Sequence, residues 1–305
     1  MLICETVNIC NNDCIICPYS RHGRDKHVMT MELFDRVLGE YAEIGGGFLS
    51  LTPMVGEVFL DRFLSERIDR ATACPAIRGV SITTNATHAD RFAPAELATM
   101  LRKLCKVQIS IYGIDAEEHR ALTRRDDHDR VVRSVKALID ACDRPEKLTL
   151  APRVLRPRDD REVREWVRAT FGDTVSVSSA TARYSNWGGF FDVDTHLPTG
   201  AEWLPARENT RQCLIPIVAF QVFVNGDVSY CPCCDHDAHS DFALGNIGRQ
   251  SLAEICNAPR LRKLWSETEG GSLPGPCRTC TFHVPVETVG DHAYMFQEPL
   301  RFIGG

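Results

Sequence analysis

Nothing in the 305 residues approaches the roughly 20 apolar positions in a row that span a bilayer, so no transmembrane helix is expected. The start, Met1-Leu2-Ile3-Cys4-Glu5, has neither the basic n-region nor the apolar h-region of a signal peptide. Basic residues are in the minority: 35 Lys and Arg face 41 Asp and Glu, a net charge of −6. That balance argues against a nucleic-acid partner, whose recognition needs basic patches. It suits a cationic small-molecule substrate, although mild acidity also serves solubility. Internal repeats and low-complexity segments are missing as well. A hydrophobic content of 44% and a charged content of 25% are ordinary for a globular chain. Together these features predict a cytoplasmic protein with no membrane and no nucleic-acid contact.

What the chain does have is cysteine, 14 in all. In a reducing compartment disulfides are rare, so the cysteines point to metal ligation or catalysis. Three stand in one short stretch, Cys10-Asn11-Asn12-Asp13-Cys14-Ile15-Ile16-Cys17, straight after the apolar run Leu2 to Val7. The next position is Pro18. Three thiolates can hold a 4Fe–4S cluster by three of its irons, leaving the last iron open to a small molecule. That is a catalytic arrangement. A structural zinc loop would want a fourth ligand nearby.

Downstream, apolar periodicity alternates between strand and helix. Thr30 can cap a helix from Met31 to Tyr41 with Leu33, Phe34, Val37, Leu38 and Tyr41 on one face. A strand over 48–52 follows Gly45-Gly46-Gly47. Then come a helix near 60–72, strand 79–84, helix 94–104, strand 106–112, helix 127–142, strand 147–154, helix 159–170 and strand 174–179. Such alternation implies βαβ units and a parallel sheet. Six strands counted from residue 2 predict a partial (β/α)6 TIM-like barrel, with its chemistry at the C-terminal strand ends.

The cysteine spacing and its place after the first strand resemble the radical S-adenosylmethionine (SAM) enzymes. The resemblance implies that the open iron binds SAM, whose reductive cleavage gives a 5′-deoxyadenosyl radical that takes hydrogen from an unactivated C–H bond. It also assigns SAM contacts. Gly56-Glu57 is similar to the family's Gly-Gly-Glu-Pro segment, which binds the methionine amino group, with Val55 and Val58 departing from it. Thr84-Asn85 stands where Thr-Asn-Gly is common, and Ser110 resembles the family's strand-four serine. Singly, each of these could equally be a turn or capping residue. Arg153, near the end of strand five, can anchor a carboxylate or hydroxyl.

A second cysteine set follows a Pro-rich, polar stretch read as a linker. Cys213 precedes Phe220–Val224, which with Val228–Tyr230 forms a hairpin around Asn225-Gly226. Cys231 ends that hairpin, and Cys277-Arg278-Thr279-Cys280 supplies two more thiols. Four cysteines complete a closed cluster, with a Cys4 zinc site as the alternative for this half alone. The order and spacing resemble the twitch form of the SPASM domain, a β-hairpin plus helix carrying one auxiliary 4Fe–4S cluster. The match is strengthened by Leu244-Gly-Asn-Ile-Gly-Arg-Gln-Ser-Leu-Ala-Glu-Ile. Asn186-Trp187-Gly188 is similar to a segment common in radical SAM enzymes with such extensions. The expected organisation is a barrel over 1–184, a linker over 185–212, and a twitch domain with tail over 213–305.

Spare thiols then bear on the reaction. Cys4, Cys74, Cys105 and Cys142 read as structural. Cys233 and Cys234 follow the ligand Cys231, where the resemblance puts the wall of the substrate cavity, and Cys256 stands where many relatives carry Trp. An S–H bond is weak enough to return hydrogen to a carbon radical. The chain resembles aminoglycoside epimerases of the neomycin type, which implies hydrogen return by Cys233 in first place, with Cys234 and Cys256 as alternates. The other reading makes these thiols packing residues or an extra cluster ligand. Dehydrogenation of an aminocyclitol alcohol, with Asp235, His236 or Glu57 as base, is the second function. A peptide-modifying enzyme is a third, disfavoured because Cys10 leaves no room for an N-terminal recognition domain. A non-enzymatic iron–sulfur or zinc protein would need a fourth local ligand where Pro18 stands. The resemblance also implies two 4Fe–4S clusters, SAM and an external electron donor of the flavodoxin or ferredoxin type.

Overall fold

A computed structural model describes residues 1–194, 197 and 200–288. Its first half alternates strands and helices. β1 (Leu2–Cys4) is followed by α1 (Met31–Glu43), β2 (Gly47–Ser50), α2 (Leu64–Ala73), β3 (Ile77–Thr84), α3 (Pro94–Lys103) and β4 (Lys106–Tyr112). Then come α4 (Ala116–Thr123), α5 (His128–Ala141), β5 (Leu148–Arg153), α6 (Asp160–Phe171) and β6 (Ser176–Val177). Strands β1 to β6 lie side by side in chain order, and every neighbouring pair is parallel. This is the partial barrel expected from the sequence.

The residues explain the elements. Thr30 caps α1 by accepting from the Leu33 amide at 3.2 Å. Phe34, Val37, Leu38 and Tyr41 bury its inner face against the sheet, each worth roughly 1.5–3 kcal/mol of transfer free energy. Gly46 ends the connection at φ 63°, where a Cβ would fall 2.2 Å from the Ala76 carbonyl oxygen. Only glycine fits there.

Three boundaries differ from the sequence expectation. The helix expected near 60–72 starts at Leu64, because Val58–Leu60 makes a single tight turn first. The last barrel strand, expected over 174–179, is confined to Ser176–Val177. The segment after β4 folds into α4, capped by Asp115 accepting from the Glu118 amide at 2.8 Å. It is too short and too polar for periodicity to reveal.

Beyond the barrel the short strands β7 (Arg183–Tyr184) and β8 (Glu202–Trp203) pair with each other. The C-terminal part holds α7 (Ile215–Val218), β9 (Phe220–Val222), β10 (Asp227–Ser229), β11 (Ala243–Asn246), α8 (Leu252–Asn257), α9 (Pro259–Glu269) and α10 (Gly275–Arg278). β9 pairs in parallel with β1, so the hairpin adds three strands to the same sheet, in the order β11-β10-β9-β1. Among the described residues, no helix is long and apolar enough to cross a membrane.

Candidate functional site

The C-terminal ends of the barrel strands surround one cavity of about 620 Å³. Cys10, Cys14 and Cys17 all line it. Their loop is held from two sides. The Asp13 and Ile15 amides donate to the Thr123 and Leu122 carbonyls of α4 at 3.1 and 3.0 Å, and Trp187 Nε1 donates to the Ile16 carbonyl at 2.9 Å. Burial pushes the Cys10 thiol up to about 12, with Glu57 adding to it, and the Cys17 thiol up to about 11. Burial likewise raises Cys14 well above the usual thiol range. Thiolates grouped there need a compensating cation, which suits iron.

Beside the loop sits Glu57, 1% exposed, its amide donating to the Ile9 carbonyl at 2.8 Å. Its Oε1 accepts from the Thr84 hydroxyl and, at 3.1 Å, from the Phe59 amide, while Oε2 accepts from the Asn85 amide at 2.7 Å. Burial nonetheless raises its carboxyl to about 7. A carboxylate so placed matches an ammonium group. Gly56 lets this turn pass under the cysteine loop, since a Cβ there would lie 2.6 Å from the Val7 carbonyl oxygen. Asn85 Nδ2 donates to Asn11 Oδ1 at 3.0 Å and approaches Cys10 Sγ at 3.9 Å. Ser110 lines the same cavity, as does Arg153, whose Nε is buried without a partner. The fold therefore brings Gly56, Glu57, Thr84, Asn85 and Ser110 to the three cysteines. A buried, unpartnered guanidinium N–H and a buried carboxylate fit the two ends of an amino acid such as the methionine part of SAM.

On the other side, Cys231, Cys234, Cys277 and Cys280 pack with Tyr230, Phe242, Leu261 and Leu264 in one small core. Cys213 forms a backbone bridge with Pro285, and its thiol lies near enough to Cys277 and Cys280 to interact with them electrostatically. Burial raises the thiols of Cys213, Cys231 and Cys277. Cys234 is the unexpected member, its Sγ lying 3.5 Å from Cys280 Sγ and 3.9 Å from Cys233 Sγ. Both Cys233 and Cys234 also line the large cavity. The contact with Cys234 draws the Cys233 thiol down, but burial together with the neighbouring Cys231, Cys280 and Cys213 sulfurs more than offsets it and leaves it at about 11. Cys256, on α8, packs instead against the barrel core and is not in the cavity wall. Asp235 is tied to the Ser229 hydroxyl at 2.6 Å and the His239 amide at 2.8 Å, and neither it nor His236 reaches that wall.

Asn186 joins the two cysteine sets. Its backbone and side chain make four hydrogen bonds of 2.9–3.1 Å with Thr279 and Thr281, beside Cys280, while the adjacent Trp187 holds the first loop. Sequence reasoning missed the Glu5–Arg24 pair. Glu5 is fully buried at the end of β1 and takes both Arg24 nitrogens at 2.5 and 2.9 Å, and Arg24 Nε donates to the His236 carbonyl at 2.9 Å. An acid inside an apolar strand run was its only signal.

The sequence profile of the radical SAM superfamily matches residues 4–170. The chain belongs to that superfamily. A second profile, the SPASM iron–sulfur cluster-binding domain, matches residues 213–281. This radical SAM chain is 27% identical over 153 residues to GTP 3′,8-cyclase of Pseudomonas entomophila, covering 50% of the chain and 44% of the relative. It is 29% identical over 162 residues to a probable GTP 3′,8-cyclase of Saccharolobus islandicus, covering 52% and 49%. It thus spans about half the length of these curated relatives. Among solved structures, BtrN in complex with AdoMet and 2-DOIA matches with TM-score 0.58 and 18% identity over 92% of both chains. Streptococcus suis SuiB bound to the precursor peptide SuiA matches with TM-score 0.61 and 13% identity over 91% of this chain and 70% of that one. At such identities the likeness is one of fold. As a radical SAM enzyme with a SPASM-type domain, the protein uses SAM, a 4Fe–4S cluster and an auxiliary iron–sulfur group in its C-terminal part.

Proposed function

We propose that this radical SAM enzyme is an epimerase that inverts a carbon of an aminocyclitol or aminoglycoside, with Cys233 returning the hydrogen. The observation that carries the reading is the position of Cys233, a half-buried thiol in the wall of the cavity that also holds the three-cysteine loop. Bound together, the first cluster and SAM supply a 5′-deoxyadenosyl radical, and the C-terminal iron–sulfur group supplies a one-electron partner. Glu57 and Arg153 hold the two ends of the methionine part. Cys233, which lines the same cavity, gives its hydrogen to the substrate radical: a C–H bond forms and the S–H bond breaks. The resulting thiyl returns to thiol by taking one electron, from an external donor of the flavodoxin or ferredoxin type, and one proton.

Dehydrogenation needs a base at the substrate carbon. Asp235 and His236 stand outside the cavity wall, and Glu57 is engaged by Thr84, Asn85 and Phe59. Those engagements support return of hydrogen over loss of a proton.

Anaerobic turnover with SAM, reductant and an aminoglycoside panel in deuterated water tests this by mass spectrometry. A product heavier by a single deuterium, formed by the wild type and lost in Cys233→Ala, is expected. A product lighter by two hydrogens would replace epimerisation with dehydrogenation.

A further inference from the structure

Among the described residues, two buried side-chain atoms without a hydrogen-bond partner belong to the wall of the large cavity. One is Arg153 Nε, a donor. The other is Gln221 Oε1, an acceptor. Gln221 is the polar residue of Phe220-Gln221-Val222, the strand β9 that seals the sheet against β1, and it is fully buried. Its Nε2 donates to the Val222 carbonyl at 3.4 Å. That bond sets the amide so that the oxygen is the end left over; the reverse orientation would put two oxygens together.

Position separates this acceptor from the SAM contacts. β9 lies on one side of β1, and β2 to β5, whose ends carry Glu57, Thr84, Ser110 and Arg153, lie on the other. Gln221 pairs with Ser229 of β10, the strand that runs into Cys231-Pro232-Cys233. The amide therefore stands on the side of the thiol, where a substrate carbon would have to sit. A carbonyl oxygen can only accept, so its partner must present N–H or O–H.

We propose that Gln221 is a substrate-positioning residue whose Oε1 accepts a hydrogen bond from a ring ammonium or hydroxyl of an aminocyclitol. This rests on the substrate class of the preceding section. Polar groups built to meet a specific donor discriminate strongly against ligands lacking it, because the acceptor is then left dry.

The test titrates cluster-reconstituted, SAM-loaded enzyme calorimetrically with 2-deoxystreptamine and with myo-inositol, which keeps ring hydroxyls and lacks amines. Gln221→Leu should weaken 2-deoxystreptamine binding about tenfold while leaving SAM affinity unchanged. Gln221→Glu then assigns the donor. Tighter binding of 2-deoxystreptamine alone identifies an ammonium, and an equal change for both ligands identifies a hydroxyl. Thermal unfolding checks each variant, and Gln221→Met replaces the leucine variant if that one fails to fold. Wild-type-like affinity in Gln221→Leu would overturn the assignment and leave the substrate class standing. A wild-type enzyme that takes up neither ligand would overturn the class and the assignment with it.

Discussion

The two cysteine sets are built in opposite ways. Cys10, Cys14 and Cys17 come from one loop and open onto a cavity of about 620 Å³. Cys213, Cys231, Cys277 and Cys280 come from three segments, the last three cysteines packing with Tyr230, Phe242, Leu261 and Leu264. The first set is local and faces open space in the cavity. The second is assembled by the fold and packs partly against apolar side chains. A three-thiol loop facing a cavity invites chemistry, whereas four thiols gathered from distant segments suit electron storage and structure.

Separating the two sets by substitution gives the largest effect. Cys14→Ala should abolish cleavage of SAM to 5′-deoxyadenosine, a loss on the order of a thousandfold or more, because the cofactor carries that chemistry. Cys277→Ala should lose the iron of the C-terminal site and keep SAM cleavage. Iron analysis and 5′-deoxyadenosine formation, measured side by side, check this. Equal loss of cleavage in both variants would break the distinction.

The joint between the sets comes next. Asn186→Ala removes the side-chain bonds to Thr279 and Thr281 and leaves buried partners unmet, for an expected loss of roughly 2–4 kcal/mol in unfolding free energy. Trp187→Phe removes the single bond to the Ile16 carbonyl and should cost about 1 kcal/mol. Denaturant unfolding of the reconstituted protein measures both. A larger effect from Trp187 than from Asn186 would mean that the first loop, and not the C-terminal CxxC, depends on this segment.

The same contrast explains what the sequence could convey. The first set was legible because spacing and Pro18 define it within a few residues. The barrel was legible because helix and strand periods alternate cleanly from Leu2 to Phe171. The contents of the second set were only partly legible. Cys234 sits against Cys280, 46 positions along the chain, and no local pattern encodes that contact. Cys256 is an alternate to Cys233 only because it stands where many relatives carry Trp, and α8 packs it against the barrel core. Gln221 and the Glu5–Arg24 pair gave only the weak signal of a polar residue in an apolar run. Their meaning depends on β9 pairing with β1, a contact made across most of the chain. The tail from 289 onward, part of the expected twitch segment, lies outside the described residues.

A smaller effect, tied to pH, should appear at the open site. Burial raises the Glu57 carboxyl to about 7 against the pull of the Asn85 and Phe59 amides and the Thr84 hydroxyl. The folded protein therefore holds this proton more tightly than the unfolded chain, in which an ordinary glutamate titrates near 4.5. Below that range the protonated carboxyl is common to both states, and the contribution to stability is fully present. As pH rises toward 7 the unfolded chain has already released its proton, so the contribution of Glu57 to the stability of the SAM-free protein declines. An ammonium beside Glu57 reverses the preference and favours the carboxylate. SAM affinity should thus increase as pH rises through about 7 and then level off, by calorimetric titration. Glu57→Gln should flatten that profile and weaken SAM binding about tenfold, the expected worth of one charge-assisted contact. Iron retention at the C-terminal set should not follow the same curve, since Asp235, the buried carboxylate nearest to it in sequence, is already held by Ser229 and His239. A pH profile unchanged by Glu57→Gln would move the ammonium contact elsewhere in the cavity and leave Glu57 as a brace for the Thr84-Asn85 turn.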